Sequence, residues 1–551
     1  MPALLSLLLV RAVDLLQILS GLVLAGCGGR TELRHLLGDR SLSQSDASAS
    51  ATTDTSTAPD ANVERDAIAT ADGQSHADLD HTDAGCGFPS PPGYLTLPDG
   101  FRWLVVSESA TDSANAVAFR VSASGIVGPW QLGSHDGIRG EGFSPEGRFF
   151  VRRQWGSPAY LTDFGGAEPS EPTLLREVAY EVSWSPRLPI LLLQDGISDA
   201  SVTVMDVRCG GPEIYSLKLK EPPALVNPQP FWAPDGEHVA LSGTGNTVSL
   251  VDFRSRPAVD ADVDTRTTGF KGYYGIWSPD GRWLVAPAVP KPGISQVAGV
   301  DTSRPDLPVV PLTDTLNLEI SSVTWANSDW LFFSTQDDAG DRRTYAARVD
   351  VPPATSMVEF PASARLSPGG TWIAYLGGCG PSAAPGVCLV ELKPEGPSEP
   401  AYVAAGEPIG IYWSPDGKHL ECLFQQGVYD YDVRLIPNVT AGGSPVPVTR
   451  DISSHLSWSP DSDWWLWSVA SDADERVYAY NVPSASTQLL FAGAVTSNRW
   501  SNDGAFLAII TADNKEVIVF AEQGSTLAEV GRQASSTGAF ASWIYWQPVP
   551  R

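Results

Sequence analysis

The sequence is poor in basic residues for its length. Lysine and arginine number 36 against 64 aspartates and glutamates, so the 551 residues carry a formal net charge of −28. Binding to nucleic acid requires clustered lysine and arginine that neutralise phosphates, and docking to anionic lipid requires the same charge. The balance therefore argues against a nucleic-acid partner and predicts a well-solvated acidic surface.

Signatures of common catalytic sites are absent as well. The chain contains no G-x-S-x-G nucleophile elbow, no Walker loop, no H-E-x-x-H, no dinucleotide-binding glycine pattern and no C-x-x-C pair. Histidine occurs only seven times. We therefore expect no enzyme, and we predict no catalytic residue, no metal site and no cofactor.

Aromatic residues are missing from a long segment near the N-terminus. Residues 28–87 hold no Phe, Trp or Tyr and are rich in Ser, Thr, Ala and Asp. Such a composition cannot bury enough apolar surface to offset the entropy of ordering the chain. We therefore expect residues 27–92 to be a disordered linker that holds a folded domain away from its point of attachment.

The segment 1–26, in contrast, is apolar apart from Arg11 and Asp14. Each charge would cost roughly 2.5–3.5 kcal/mol at the centre of a membrane-spanning helix, so a cleaved signal peptide is favoured. The closing L-A-G-C at residues 24–27 resembles the lipobox of bacterial lipoproteins. This resemblance implies a lipid on Cys27, a cell-envelope location and membrane contact through the lipid only. The glycine that follows weakly favours the outer membrane.

Cysteine is scarce, and five cysteines remain when the lipidated one is set aside. Disulfides are plausible in an exported chain. Cys379 and Cys388 flank a loop rich in glycine and proline, and they are the best candidate pair. Cys86 could pair with Cys209, whereas Cys422 falls inside an apolar strand and is expected to be a small buried residue.

A phrase of the form W-S-P-D-G, followed by an apolar strand, returns about every 45 residues from Leu97 to Trp546. In the copy at residues 278–281, S-P-D-G fits a type I turn between two strands. The tryptophan before the turn supplies a large apolar body at a fixed place in each unit. The predicted core tryptophans of the repeats are Trp184, Trp232, Trp277, Trp325, Trp413, Trp458 and Trp500.

Several short strands repeated at this period are typical of the blades of a β-propeller. The phrase resembles the WD-like repeats of TolB-type β-propellers. We therefore predict an all-β fold of about ten four-stranded blades over residues 93–551. Because propellers usually have four to eight blades, one large ring and two smaller propellers both stay open. The strand near 541–549 is expected to complete the blade that starts near Leu97.

The histidines of the repeats give little sign of a metal site. His238 and His419 each lie six residues after a repeat tryptophan, where other units have phenylalanine or tryptophan. A position filled by aromatic residues elsewhere indicates packing. His135 and His455 stay unassigned, and they would be the histidines of any catalytic site in the channel.

Two further patterns have a structural and a functional interpretation. Asp260, Asp262 and Asp264 alternate as in a calcium loop, but the required glycine and glutamate are missing. A solvated acidic loop is the better prediction. A tryptophan-rich run could form a sugar- or peptide-binding platform, although core packing is favoured; its members are Trp464, Trp465 and Trp467.

The function expected from these observations is binding. A propeller on a lipid-anchored tether would present its loops and central opening to a protein, peptide or glycan of the cell envelope. The alternative is a hydrolase or lyase with a metal or carboxylate site in the central channel. A purely structural spacer is a third possibility, because fold alone does not specify function.

Overall fold

The structure is a computed structural model that describes the chain from residue 100 to residue 549. The segments outside this description are 110–113, 136–141, 154–156, 195–200, 208–212, 219–230, 243–247, 254–258, 264–274, 305–306, 338, 350–356, 380–383, 426–430, 450–451, 453, 471–474 and 537–539. The predicted signal peptide, the linker with Cys27, and the possible Cys86–Cys209 pair therefore lie outside the described residues.

The described residues form ten antiparallel sheets, which we call blades 1 to 10 in chain order. The strands of blades 1 to 5 are β1 (Arg102–Ser109), β2 (Ala114–Ser122), β3 (Gly125–His135) with β41 (Phe540–Trp546); β4 (Gly142–Phe143), β5 (Phe149–Arg152), β6 (Ser157–Asp163), β7 (Thr173–Ala179); β8 (Glu181–Trp184), β9 (Ile190–Gln194), β10 (Ser201–Asp206), β11 (Glu213–Lys218); β12 (Phe231–Trp232), β13 (His238–Ser242), β14 (Val248–Asp252), β15 (Val259–Val263); and β16 (Ile276–Trp277), β17 (Trp283–Lys291), β18 (Ile294–Asp301), β19 (Val309–Pro311).

The remaining strands build blades 6 to 10 in the same order. They are β20 (Glu319–Trp325), β21 (Trp330–Gln336), β22 (Arg342–Arg348), β23 (Met357–Phe360); β24 (Arg365–Leu366), β25 (Trp372–Gly378), β26 (Pro385–Lys393), β27 (Gly396–Pro397), β28 (Ala401–Ala405); β29 (Gly410–Trp413), β30 (Leu420–Gln425), β31 (Tyr431–Ile436), β32 (Val446–Thr449); β33 (Ser454–Trp458), β34 (Trp464–Ala470), β35 (Glu475–Asn481), β36 (Ser486–Ala492); and β37 (Val495–Trp500), β38 (Phe506–Thr511), β39 (Glu516–Gln523), β40 (Thr526–Ala534). A short 3-10 turn spans Val439–Ala441.

The hydrophobic core lies between blades. Strand β38 is buried along its whole length because Leu507 and Ile509 pack toward blade 9 while Phe506, Ala508 and Ile510 pack toward blade 1. Among the described residues there are ten such clusters, and each joins two consecutive blades. The last cluster joins blade 10 to blade 1, so the blades form one ring and not two propellers.

The C-terminal strand closes this ring, as the sequence predicts. Strand β41 pairs with β1, with Trp546 opposite Leu104, and it serves as the first strand of blade 1. Gln547 then takes the place of the repeat serine. Its backbone N–H donates to the carbonyl of Trp103, and its side-chain oxygen accepts the N–H of Trp103 at 3.2 Å. Its amide also donates to the carbonyl of Gly147 in blade 2 at 2.9 Å.

The repeated turn is held by its serine. In blade 5 the buried hydroxyl of Ser278 donates to Asp280 and accepts the backbone N–H of Trp283 at 2.8 Å. Gly281 closes the turn with φ of 74°, a conformation that glycine adopts without strain. Arg282 then pairs with Asp301 at the end of β18, 3.0 Å apart. The turn and this ion pair therefore fix the ends of neighbouring strands within one blade.

Candidate functional site

The first strand of each blade lies nearest the ring axis. First strands of neighbouring blades contact each other, for example β12 with β16, β24 with β29 and β37 with β41. Sheets that radiate from an axis approach each other most closely at their inner edges. Packed sheets lie about 10 Å apart, and strands within a sheet lie about 4.8 Å apart. For ten four-stranded blades arranged around one axis, these two spacings place the first strands roughly 9 Å from the axis. These strands therefore surround a central opening, which we call the channel.

The tryptophan of the repeat points away from the channel and toward the preceding blade. We call its place on each first strand the inner core position. Each of its ten residues packs into the cluster shared with the preceding blade. The ten residues are Phe143, Trp184, Trp232, Trp277, Trp325, Leu366, Trp413, Trp458, Trp500 and Trp546.

The indole N–H groups at this position also join neighbouring blades. Trp184, Trp413 and Trp546 donate to backbone carbonyls of the preceding first strand, at 3.3, 3.1 and 2.9 Å. Trp232 donates instead to the hydroxyl of Ser183 at 3.1 Å. Apolar packing and a directional hydrogen bond thus act at the same interface. In the described part of the chain, three indole N–H groups of this set have no partner, those of Trp325, Trp458 and Trp500.

The residue just before the inner core position lies on the opposite face of its strand, toward the next blade and, where it is exposed, the channel, because successive side chains of a strand alternate. We call its place the inner channel position. Tyr412, Arg365 and Thr324 are exposed there, and Trp543, two residues earlier on β41 than its blade's inner channel residue, is 47% exposed. The ten residues of the inner channel position are Gly142, Ser183, Phe231, Ile276, Thr324, Arg365, Tyr412, Ser457, Arg499 and Tyr545.

Residues of this position contact the next blade where the channel wall is continuous. The Ser457 hydroxyl donates to the side-chain oxygen of Asn498 at 2.6 Å. Tyr545 lies edge-to-face with Phe150, 5.6 Å between ring centres, and a side chain in place of Gly142 would crowd its ring. Arg365, in contrast, donates to the carbonyl of its own chain neighbour Ala364 at 3.0 Å. The sequence repeat does not reveal this position, because its residue type differs from blade to blade.

Of the two histidines predicted to be structural, His419 packs against a neighbouring blade and His238 bonds within its own turn. His419 is buried and stacks on Trp458 across the interface of blades 8 and 9, with ring centres 6.2 Å apart. Burial lowers the pKa of its imidazole, and Asn438 donates its backbone N–H to Nδ1. His238 hydrogen-bonds Asp235 within its own turn at 2.6 Å.

The histidines of the catalytic alternative are not brought together. His135 lies on β3, the outer strand of blade 1, and His455 on β33, the first strand of blade 9. No group of three His, Cys, Asp or Glu residues suited to a metal ion occurs among the described residues. Burial raises the pKa of the Cys422 thiol to about 12, which keeps it protonated and removes it as a nucleophile.

Carboxyl groups with a raised pKa lie at turns and blade joints. Burial raises the pKa of Glu146, which sits in the turn of blade 2. Burial and the neighbouring Asp461 raise the pKa of Asp463 in blade 9. Burial also raises the pKa of Glu522 in blade 10, whose side chain accepts the indole N–H of Trp464 at 3.1 Å. None of these carboxyl groups lies on a first strand.

The remaining sequence predictions have mixed outcomes. The tryptophan-rich run is core, since Trp464, Trp465 and Trp467 are 0%, 0% and 2% exposed. The prediction of an acidic loop is wrong for Asp260 and Asp262, which belong to β15; Asp264 lies outside the described residues. The alternation of valine or alanine with aspartate in this run has a period of two, which is the period of a strand.

The two cysteines of the predicted hairpin bridge are joined. Cys379, which directly follows β25, and Cys388 on β26 form a disulfide in blade 7, with the α-carbons 6.0 Å apart. The bridge connects adjacent strands of a single blade. The part of the chain that the structure describes contains no helix with the length and hydropathy of a membrane span.

Comparison with known proteins adds little beyond the fold. No protein-family model matches the chain, and no curated protein sequence matches it. Among solved structures, it is similar to "Crystal structure of the eukaryotic initiation factor" at 11% identity and a TM-score of 0.43, covering 82% of this chain and 99% of that one. It is also similar to "Dihydro-heme d1 dehydrogenase NirN in complex with DHE", at 16% identity and a TM-score of 0.34, covering 65% of this chain and 74% of that one. A third similar structure is "Oligogalacturonate lyase in complex with manganese", at 14% identity and a TM-score of 0.28, covering 56% of this chain and 88% of that one.

Proposed function

We propose that the protein is a non-enzymatic binding module of the bacterial cell envelope, whose channel wall binds a protein, peptide or glycan. The observation that carries the proposal is the exposure of large aromatic rings on first strands. Tyr412 is 40% and Trp543 47% exposed. These two rings leave much of their apolar surface to solvent.

Exposed rings of this kind favour a ligand. The adjacent inner core position provides packing between blades, and the rings of Tyr412 and Trp543 remain 40% and 47% exposed beside it. An aromatic side chain combines a large apolar face with little conformational entropy to lose, which makes it effective in recognition. Function in such a fold rests on positions that depart from the repeat.

The test compares two tyrosines of equal exposure. The full chain and the variants Tyr412→Ala and Tyr402→Ala are applied to arrays of envelope glycans and synthetic peptides. Tyr402 is also 40% exposed but lies on β28, at the outer edge of blade 7. We expect Tyr412→Ala to weaken binding of the array ligands by about tenfold or more, as for an aromatic anchor, and Tyr402→Ala to change it little. Equal binding by all three proteins, or no binding at all, would refute the channel wall as the site.

The anchoring part of the proposal depends on the cysteine at the end of the apolar leader. The motif at residues 24–27, and W-S-P-D-G repeats resembling those of TolB-type propellers, support a lipid-anchored envelope protein. Fractionation of cells expressing the full chain or Cys27→Ala tests it. We expect the chain in the membrane fraction, and the outer membrane within it, with the variant released into the soluble fraction. A variant that stays with the membrane would contradict a lipid on this residue.

A further inference from the structure

The charge at the inner channel position is opposite to that of the whole chain. Acidic residues outnumber basic ones by 64 to 36. The ten residues at this position nevertheless include two arginines, Arg365 and Arg499, and no aspartate or glutamate. A chain with net charge −28 repels anions in general, and first strands elsewhere in the ring carry Glu181 and Glu319, so the positive charge near these two arginines selects where an anion can bind.

Both arginines lie on the same side of the ring. Blades 7, 8, 9, 10 and 1 place Arg365, Tyr412, Ser457, Arg499 and Tyr545 on consecutive first strands. We call these five residues the basic arc. The inner channel residues of blades 2 to 6 carry no charge. The arc therefore alternates guanidinium groups with aromatic and hydroxyl side chains, whereas first strands of the other blades carry the acidic residues Glu181 and Glu319.

We propose that the basic arc binds an acidic oligosaccharide, with carboxylates of the sugar units on the arginines and a sugar ring on Tyr412. This inference rests on the proposed function and names the ligand class for the same site. Arg365 is exposed and donates to the carbonyls of Ala362 and Ala364, and no carboxylate of the described residues pairs with it. A guanidinium has five N–H donors in a planar array that matches a carboxylate.

The first strands favour a glycan over an acidic peptide. A peptide that added to the inner edge of a blade would need free backbone groups there. The carbonyls of Arg365 and Arg499 already accept indole N–H bonds from Trp413 and Trp546. A ligand in the channel is therefore recognised through side chains, and the electron-rich face of Tyr412 suits the C–H groups of a sugar ring.

The spacing of the arginines sets the length of the ligand. Arg365 and Arg499 are three blades apart in a ring of ten. With first strands roughly 9 Å from the axis, this separation is about 15 Å between strands. One sugar unit cannot reach both guanidinium groups. Affinity is therefore expected to rise with oligosaccharide length until the ligand spans the arc.

The experiment measures binding of defined probes to the full chain by titration calorimetry. The probes are a hexasaccharide of uronic acid units, the same hexasaccharide with its carboxylates methyl-esterified, and hexaglutamate. We expect the acidic hexasaccharide to bind, and esterification or Arg365→Gln to weaken it by about tenfold, as for loss of a charge-assisted pair. The control Arg342→Gln makes the same change of net charge at an exposed arginine of β22, and it should leave affinity within about twofold.

The outcomes separate this inference from the proposed function. If the hexasaccharide fails to bind while another array ligand depends on Tyr412, the acidic glycan is wrong and the binding module stands. If hexaglutamate binds more tightly than the hexasaccharide, the arc recognises acidic peptides instead. If Arg365→Gln and Arg342→Gln weaken the affinity equally, the effect comes from the overall charge of the protein, and the basic arc is not the binding site. If no ligand depends on Tyr412, both proposals fail.

Discussion

The inner core position and the inner channel position are neighbours on the same strand, yet they follow opposite rules. Eight of the ten inner core residues are tryptophan, and all ten pack against the preceding blade. The inner channel position holds seven residue types, among them glycine, arginine and tyrosine. Every blade meets its neighbour in the same way, so packing selects a large apolar side chain each time.

The difference teaches where to look for function in a repeat protein. A residue that recurs in each unit is explained by what each unit needs, which is a buried interface with the next unit. Different parts of a ligand in the channel contact different blades. Binding of such a ligand therefore does not require the same residue in every blade. Variation next to a regular position is therefore the informative signal here.

The largest expected effect separates two adjacent residues of β20. Trp325, in the inner core position, is 8% exposed, whereas Thr324 beside it is exposed. We expect Trp325→Ala to destabilise the ring by about 3–5 kcal/mol, because it leaves a cavity between blades 5 and 6. Thr324→Ala should cost less than about 1 kcal/mol. Urea unfolding followed by tryptophan fluorescence measures both; similar losses would erase the distinction between the two positions.

The second-largest expected effect concerns blade 1, in which the C-terminal strand β41 completes the sheet. Gln547 is 1% exposed and satisfies the N–H of Trp103 and the carbonyl of Gly147. Gln547→Ala leaves both groups buried without a partner, so we expect a loss of about 2–4 kcal/mol. Gln533, whose amide bonds the carbonyl of the adjacent Ala534, is the control, and Gln533→Ala should stay within about 0.5 kcal/mol. A loss no larger than that of the control would mean that the closing blade does not depend on this glutamine.

The regular part of the fold could be predicted from sequence because packing repeats. The tryptophan, the S-P-D-G turn and the closing strand all follow from the period. Even a degenerate unit keeps the contact, since Asn327 accepts the N–H of Trp330 at 3.1 Å as the repeat serine does elsewhere. Local chemistry of this kind is visible in a short window of the chain.

The site and the ring size could not be predicted, because they depend on contacts between distant residues. Gln547 acts on Trp103, 444 positions away, and nothing near either residue reveals the pair. The number of blades in the ring is set by which cluster joins blade 10 to blade 1. The basic arc likewise exists only because the closed ring brings first strands of five blades to one wall.

The smallest expected effect tests a histidine in a position that is aromatic in other blades. Burial lowers the pKa of His419 below its usual 6.5, and Asp416, Lys418 and Asp463 are the charged groups around it. The unfolded chain therefore takes up the proton at a higher pH than the folded one. The stability that the neutral imidazole contributes is complete above about pH 6.5 and is lost as pH falls through the folded-state pKa. His419→Phe removes this titration, so its melting temperature should fall less than that of the wild type between about pH 7.5 and about pH 5. If the melting temperatures of the two proteins fall in parallel, the acid sensitivity of the ring arises elsewhere. Equal melting temperatures near pH 7.5 would confirm that the position requires an aromatic ring and not a histidine.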